Sequence, residues 1–463
     1  MSNEQEINPT KNDFTQGSIP SAVMRMAIPM IGAQIVNALY SIVDRMYIGQ
    51  LPGVGKMALT GVGLTFPFIM IVSAFAMLAG MGGAPLCSIA RGKGENAFAE
   101  RVMGSAFTLL MFLGVLLTVL SLLVKDVALV WFGASVNTFS YANEYITIYL
   151  WGSLFVMITL GMNPFINSQG FSRIGMMTVA LGAVANIVLD PFFMYVLKMG
   201  VKGAALATVL AQALSAAWVM RFLTGDKCIL RLKRCNLRPD FAILKRIVAL
   251  GASTCTMNIT DSMVSILCNR TLSLFGGDVY VTVMTVISSV RQVLMMPMGG
   301  FGQGLQPVMG YNYGAKRYDR VRESFRFTLI VCTLYASAVC ALTLSFPGFF
   351  IGLFNSDPEL LAVGIPSMRL YFCLFFMMAL QMSGQYSFVA LGKSRHAMFF
   401  SLLRKAFIVA PLTLLLPRVT NLGVMGVFAA EPISDFIGSS ACIITFILTM
   451  RAMLKKEAVR PAQ

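Results

Sequence analysis

Twelve runs of roughly 20 or more mostly apolar residues follow one another along the chain. They lie at about 21–43, 58–84, 102–124, 143–165, 174–197, 203–223, 244–273, 280–306, 325–346, 366–390, 396–416 and 424–450. No other feature constrains the fold so tightly. In lipid every backbone polar group must be satisfied internally, so a run of this length crosses the bilayer as an α-helix. The expected fold is all-α and integral to the membrane, with twelve transmembrane helices. Composition agrees: 57% of the 463 residues are hydrophobic and 12% are charged, against about 25% charged in soluble domains.

The net charge of +16 raises the question of a nucleic-acid partner, and the placement of the charges argues against one. Most of the Lys and Arg fall in the N-terminus, the alternate loops and the C-terminus. The opposite loops hold only Lys56, Lys125, Lys198, Lys202 and Arg418. This is the positive-inside pattern of a cell-membrane protein with both termini cytoplasmic. The opening MSNEQEINPTKNDFTQGSIP is polar and mildly acidic, unlike a cleavable signal peptide. Nine cysteines without a CxxC read as small core residues rather than a disulfide framework.

The chain is an internal duplication. Gly80, Gly82 and Gly94 match Gly300, Gly302 and Gly314 at one offset, and Thr108-Leu109 matches Thr328-Leu329. QGFSR ending at Arg173 parallels LGKSR ending at Arg395, and GVKGAALAT from Gly200 parallels GVMGVFAAE from Gly423. Each repeat holds six spans, an even number, so both enter the membrane the same way. Two six-helix lobes related by a pseudo-two-fold axis along the membrane normal follow, an arrangement used by alternating-access transporters. The expected domains are an N-terminal segment (1–20), an N-lobe (21–223), a basic cytoplasmic linker (224–243), a C-lobe (244–450) and a cytoplasmic tail (451–463).

The intramembrane carboxylates of interest are Asp44 late in span 1, Asp190 in span 5, Asp261 in span 7, and Glu431 and Asp435 in span 12. A charged group at the bilayer centre costs about 2.5–3.5 kcal/mol on insertion scales, so such residues normally face a bundle interior or a cavity. Asn186 and Asp190 are four apart and share a helix face, as do Glu431 with Asp435 and, three apart, Asn258 with Asp261. Pro191 removes a backbone donor and is expected to bend its helix next to Asp190. Burial disfavours the charged form of a carboxylic acid and a second carboxylate disfavours it further, so a buried pair can exchange a proton near neutral pH as one unit. Deprotonated, the same site attracts an organic cation or Na⁺. The competing reading makes these acids structural, paired with Arg45, Arg270 or Arg291.

The order VDRMYIG, IARGKGE, INSQGFSR, NIVLDPFFMYVLKMGVKGAALAT and PVMGYNYGAKRYDRVR resembles the MATE family (multidrug and toxic compound extrusion) over about residues 15–450. The FTQGSIP segment and the acid in span 12 are similar to its bacterial MepA-like branch. The resemblance implies a V-shaped twelve-helix fold that extrudes cationic amphiphilic compounds in exchange for H⁺ or Na⁺, with no other cofactor and as a monomer. It places an ion-coupling site on Asp44, Tyr145, Asn163, Asn186, Asp190 and Thr208. Cargo contacts in the C-lobe are expected from Asp261, Asn258, Gln381, Glu431 and Asp435. Two departures stand out. Leu380 and Gln381 occupy the region where the NorM-like branch has a span 10 aspartate, and Arg45 follows Asp44 where a small polar residue is usual.

Enzyme chemistry finds no support. His396 is the single histidine, so no metal triad or histidine-based nucleophile can be assembled, and no GxxxxGK[ST] loop appears. The 33 methionines and 34 phenylalanines suit a cavity that repacks around varied cations, although each of them also fits ordinary core or lipid-facing packing. Two rival functions remain: a lipid-linked oligosaccharide flippase, which needs a cationic groove, and a non-transporting membrane receptor, which needs no paired acids.

Overall fold

The computed structural model describes residues 13–354, 357–420 and 422–458, so the ends of the expected N-terminal segment and tail lie outside the described residues. Among these the chain is helical throughout. The first repeat runs through α1 (Ile19–Gly49), α2 (Gly55–Leu64), α3 (Phe66–Gly92), α4 (Asn96–Trp131), α5 (Val136–Ser168), α6 (Ser172–Pro191) and α7 (Val201–Thr224). The second runs through α8 (Phe241–Gly276), α9 (Asp278–Gly314), α10 (Tyr318–Ser345), α11 (Pro347–Gly352), α12 (Pro358–Phe372), α13 (Met378–Ala390), α14 (Ser394–Leu402), α15 (Ala410–Val419) and α16 (Met425–Ala458).

Eleven helical stretches among the described residues are long and apolar enough to cross a membrane. The twelfth span is α8. At 36 residues it is long enough, but Ser253, Thr254, Thr256, Asn258, Thr260 and Asp261 dilute its apolar centre. Span 2 is split at Thr65, whose hydroxyl donates to the Val62 carbonyl at 2.7 Å. Pro67 then opens the next helix, where its missing N–H costs nothing. Spans 10 and 11 are likewise interrupted, span 11 by a π-helical stretch from Leu403 to Val409.

By its internal contacts the chain divides into two compact units, 13–16 with 28–252 and 17–27 with 253–458 among the described residues. This division differs from the sequence boundaries at two places, and glycines explain both. At Gly82 in α3 an added methyl would collide with the Ile247 carbonyl, so the first turns of α8 lie tight against α3 and count with the first unit. At Gly304 in α9 an added methyl would lie 2.6 Å from the Ala27 backbone, which ties the start of α1 to the second unit. Small residues that let backbones approach are the usual glue of membrane helices. Inside the first unit α5 is the spine, packing against α2, α3, α4, α6 and α7. In the second, α13 packs on α9, α10 and α16.

Candidate functional site

In the first unit the polar residues of four helices converge. Asp190 and Asn186 of α6 are buried, at 0% and 1% exposure. The Asn186 amide donates to Asp190 Oδ1 at 3.1 Å and, more weakly, to Thr208 Oγ1 of α7 at 3.4 Å. Tyr145 of α5 shares a cavity wall with Thr208 and stacks on Tyr149, with ring centroids 6.3 Å apart. Asp44 of α1 lies on the neighbouring side of the cluster, near Asp190. Asp44 Oδ1, Asp190 Oδ2 and Asn186 Oδ1 are buried with no hydrogen-bond donor. All three are acceptors, which is the complement of a proton or a cation.

The backbone beside this cluster is irregular for a local reason. Pro191 has no N–H to return to the Ile187 carbonyl. Just beyond it the helix widens into a π-turn over Phe192–Val196, with Leu197 N–H bonding to the Phe192 carbonyl at 3.0 Å. The expected bend thus takes the form of a π-bulge, a device frequent at functional sites. The Tyr195 hydroxyl fastens this turn to α1 through the Tyr47 carbonyl at 2.7 Å.

A cavity of about 590 Å³ opens onto the cluster, with Asp44, Arg45, Tyr40, Tyr145, Tyr149 and Thr208 in its wall. A narrow recess of about 40 Å³ continues past Thr208 to Asn186, between Gly182 and Ala183 of α6 and Gln212 and Ser215 of α7. Arg45 forms no ion pair with Asp44. Successive helix positions point about 100° apart, and the guanidinium lies instead over the Phe66 ring, 5.9 Å from its centroid.

Asn163, also expected in the ion-coupling set, is placed apart from this cluster, with its own Oδ1 buried and unpartnered. Its amide donates to the Gly175 carbonyl at 3.1 Å. Gly175 lies eleven residues before Asn186 on α6, about 16 Å of helix rise away. The residues that sequence reasoning missed are Asn37, Tyr40 and Gln212, all in the cavity wall. Their signal was available: Asn37, Tyr40 and Asp44 recur at helical spacing, and Gln212 follows Thr208 by one turn.

The second unit holds a different arrangement of the residues expected to contact cargo. Glu431 and Asp435 of α16 are not free acids. Glu431 Oε1 accepts from Arg291 at 2.8 Å, from Arg404 at 2.9 Å and from Lys405 at 3.0 Å. Arg404 also donates to Asp435 at 2.8 Å, and Lys405 lies 3.4 Å from Asp261, whose side chain is 53% exposed. Three cations meet three carboxylates, so the central charge of this unit is balanced. Arg291 also donates to the Tyr371 hydroxyl at 2.9 Å. Asn258 is exposed. Gln381 is buried with neither amide atom partnered, and no hydrogen bond or ion pair among the described residues joins either one to this cluster.

Comparison with known proteins accounts for this pattern of two related units. The MatE family model matches residues 29–192 and again 254–415. The chain belongs to the MatE family. Its members are membrane transporters rather than enzymes, and the double match is the internal repeat. A curated relative, the multidrug export protein MepA of Staphylococcus haemolyticus, is 23% identical over 76% of this chain and 76% of its own length. A probable multidrug resistance protein NorM of Thermotoga maritima is 23% identical over 97% of this chain and 98% of its own. Among solved structures, a MATE crystal structure in the bent conformation superposes with a TM-score of 0.91 at 23% identity, covering 98% of this chain and 99% of that one. The chain is thus a multi-pass membrane protein with the MatE twelve-helix fold.

Proposed function

We propose that the protein is a secondary active antiporter that exports cationic amphiphilic drugs in exchange for protons by alternating access. The observation that carries this reading is the pair of intramembrane acids with unpartnered buried acceptor oxygens, Asp44 in the wall of a cavity of drug-accommodating size and Asp190 behind it against Asn186. A proton arriving through the cavity meets Asp44 first and can be shared with Asp190. The pair with its charge exposed attracts a cation; the protonated pair releases it. Tyr40, Tyr145 and Tyr149 supply aromatic faces for an organic cation. The relatives' names, a multidrug export protein and a probable multidrug resistance protein, support the cargo class.

In this reading the protein works as a monomer in the cell membrane with both termini cytoplasmic. It needs no bound cofactor because the ion gradient supplies the energy. A flippase for lipid-linked pyrophosphates would need a groove of several uncompensated cations; Arg291, Arg404 and Lys405 are neutralised where they lie, and Arg45 by itself does not make such a groove. The test is uptake of a fluorescent lipophilic cation into proteoliposomes under an imposed pH gradient or an imposed Na⁺ gradient. Proton-driven transport that drops to the level of empty vesicles in Asp190→Asn is the expected outcome. Transport driven by Na⁺ alone would replace the proton with sodium, and an Asp190→Asn protein working at full rate would remove the switch from this site.

A further inference from the structure

The repeat allows the two charged centres to be compared position by position. In spans 5 and 11 the register carries Arg173 onto Arg395, and in spans 6 and 12 it carries Gly200 onto Gly423. Gly182 and Ala183 therefore correspond to Arg404 and Lys405, whereas Thr208, Gln212 and Ser215 correspond to Glu431, Asp435 and Gly438. Packing supports this register independently. In the first unit Gly182 lies against Ser215, and in the second the Arg404 side chain lies against Gly438, 3.1 Å from where a methyl would sit. The large and small partners have changed places at the same helix crossing.

This correspondence gives the recess a meaning. In the first unit Gly182 and Ala183 have almost no side chain, and a recess of about 40 Å³ remains between them and Thr208, Gln212 and Ser215. That is room for about one water-sized species. In the second unit the same two positions carry a guanidinium and an ammonium. Their heads lie on the residues that replace Thr208 and Gln212, with Lys405 to Glu431 at 3.0 Å and Arg404 to Asp435 at 2.8 Å. The Arg404 carbonyl also accepts from the Ser434 hydroxyl at 2.8 Å, which holds the backbone in register with α16.

We propose that Arg404 and Lys405 are tethered counter-cations filling the second unit's copy of the recess, so that this unit takes no exchangeable ion and the coupling ion enters only the first. The acids at 431 and 435 then complete a built-in salt of the site instead of binding cargo or sodium. The part concerning coupling rests on the antiporter reading; the occupancy of the recess does not, and it is measured without transport.

If the cation is tethered, removing it should create a site for a free one. Lys405→Ala leaves two cations, Arg291 and Arg404, against three carboxylates; an uncompensated charge in such a cluster is unfavourable, and a cation that binds only the folded state restores stability. The experiment is thermal unfolding of the purified full-length protein at fixed ionic strength, with either sodium or N-methylglucammonium as the monovalent cation. Lys405→Ala is expected to melt higher in sodium by about 3 °C or more beyond any difference shown by the wild type. Lys405→Ala/Glu431→Gln, which balances the charge again, is expected to lose that gain. Equal midpoints in the two salts for folded Lys405→Ala overturn the proposal. The reciprocal variant Ala183→Lys places an ammonium in the open recess and is expected to abolish ion-driven exchange while the protein still folds. Exchange by Ala183→Lys at the wild-type rate overturns the proposal even where Lys405→Ala does not accumulate.

Discussion

The two buried charge clusters differ in what a single substitution does. Glu431 Oε1 serves three cations at once, so Glu431→Gln leaves them with one carboxylate fewer inside the helix bundle. A loss of about 3–5 kcal/mol is expected, the usual consequence of breaking a buried pair, and equilibrium unfolding in detergent measures it. Asp126→Asn, at an exposed pair with Lys125, is the contrast and should cost less than about 1 kcal/mol. Asp190 and its neighbour Asn186 were legible in the sequence because they lie one turn apart on one helix. The pairing of Arg404 and Lys405 with Glu431 was not, because the partners sit on different helices, 27 and 26 residues apart. Two adjacent cations in the middle of span 11 were the available signal. These two side chains, with Arg291, balance the central acids of this unit.

Helix positions were legible from hydropathy, and their interruptions were not. Apolar runs end where lipid ends, whereas the helices continue beyond them into water, as α5 does from Val136 to Ser168 around a run predicted at 143–165. The break at Thr65 and the two π-helical stretches depend on which carbonyls find donors, and hydropathy does not record that. The repeated glycines were legible as a pattern, and the contacts show a close helix approach at Gly82. Gly82→Ala places a methyl against the Ile247 carbonyl, so a destabilisation of about 1–3 kcal/mol is expected from overpacking. Gly63→Ala meets nothing within 4 Å and should be neutral or slightly stabilising, as alanine in a helix generally is. Thermal melts of the two variants side by side make the comparison, and equal melting points would remove the packing role of Gly82.

For the molecule as a whole, the distribution of basic residues predicts that the linker between the repeats is cytoplasmic. Cys235 is the exposed cysteine of that linker. It lies in a short 3₁₀ turn, Arg234–Leu237, docked through the Leu237 carbonyl to the Thr108 hydroxyl at 2.7 Å. A membrane-impermeant maleimide should label it in inverted vesicles and not in intact cells, with Cys235→Ser as the control; labelling from outside would reverse the orientation. The sequence by itself determined the number of spans, the duplication and which polar residues lie within lipid. Those properties follow from transfer free energy and helical periodicity, which act along a continuous stretch of chain. Only the tertiary structure decided which intramembrane acids keep open acceptors and which are neutralised. It placed Asn163 apart from the cluster it was expected to join, put Asp44 near Asp190, and closed Glu431 and Asp435 with Arg404 and Lys405. Charge compensation falls off within a few ångströms, and helix packing alone sets those distances between residues far apart in the chain.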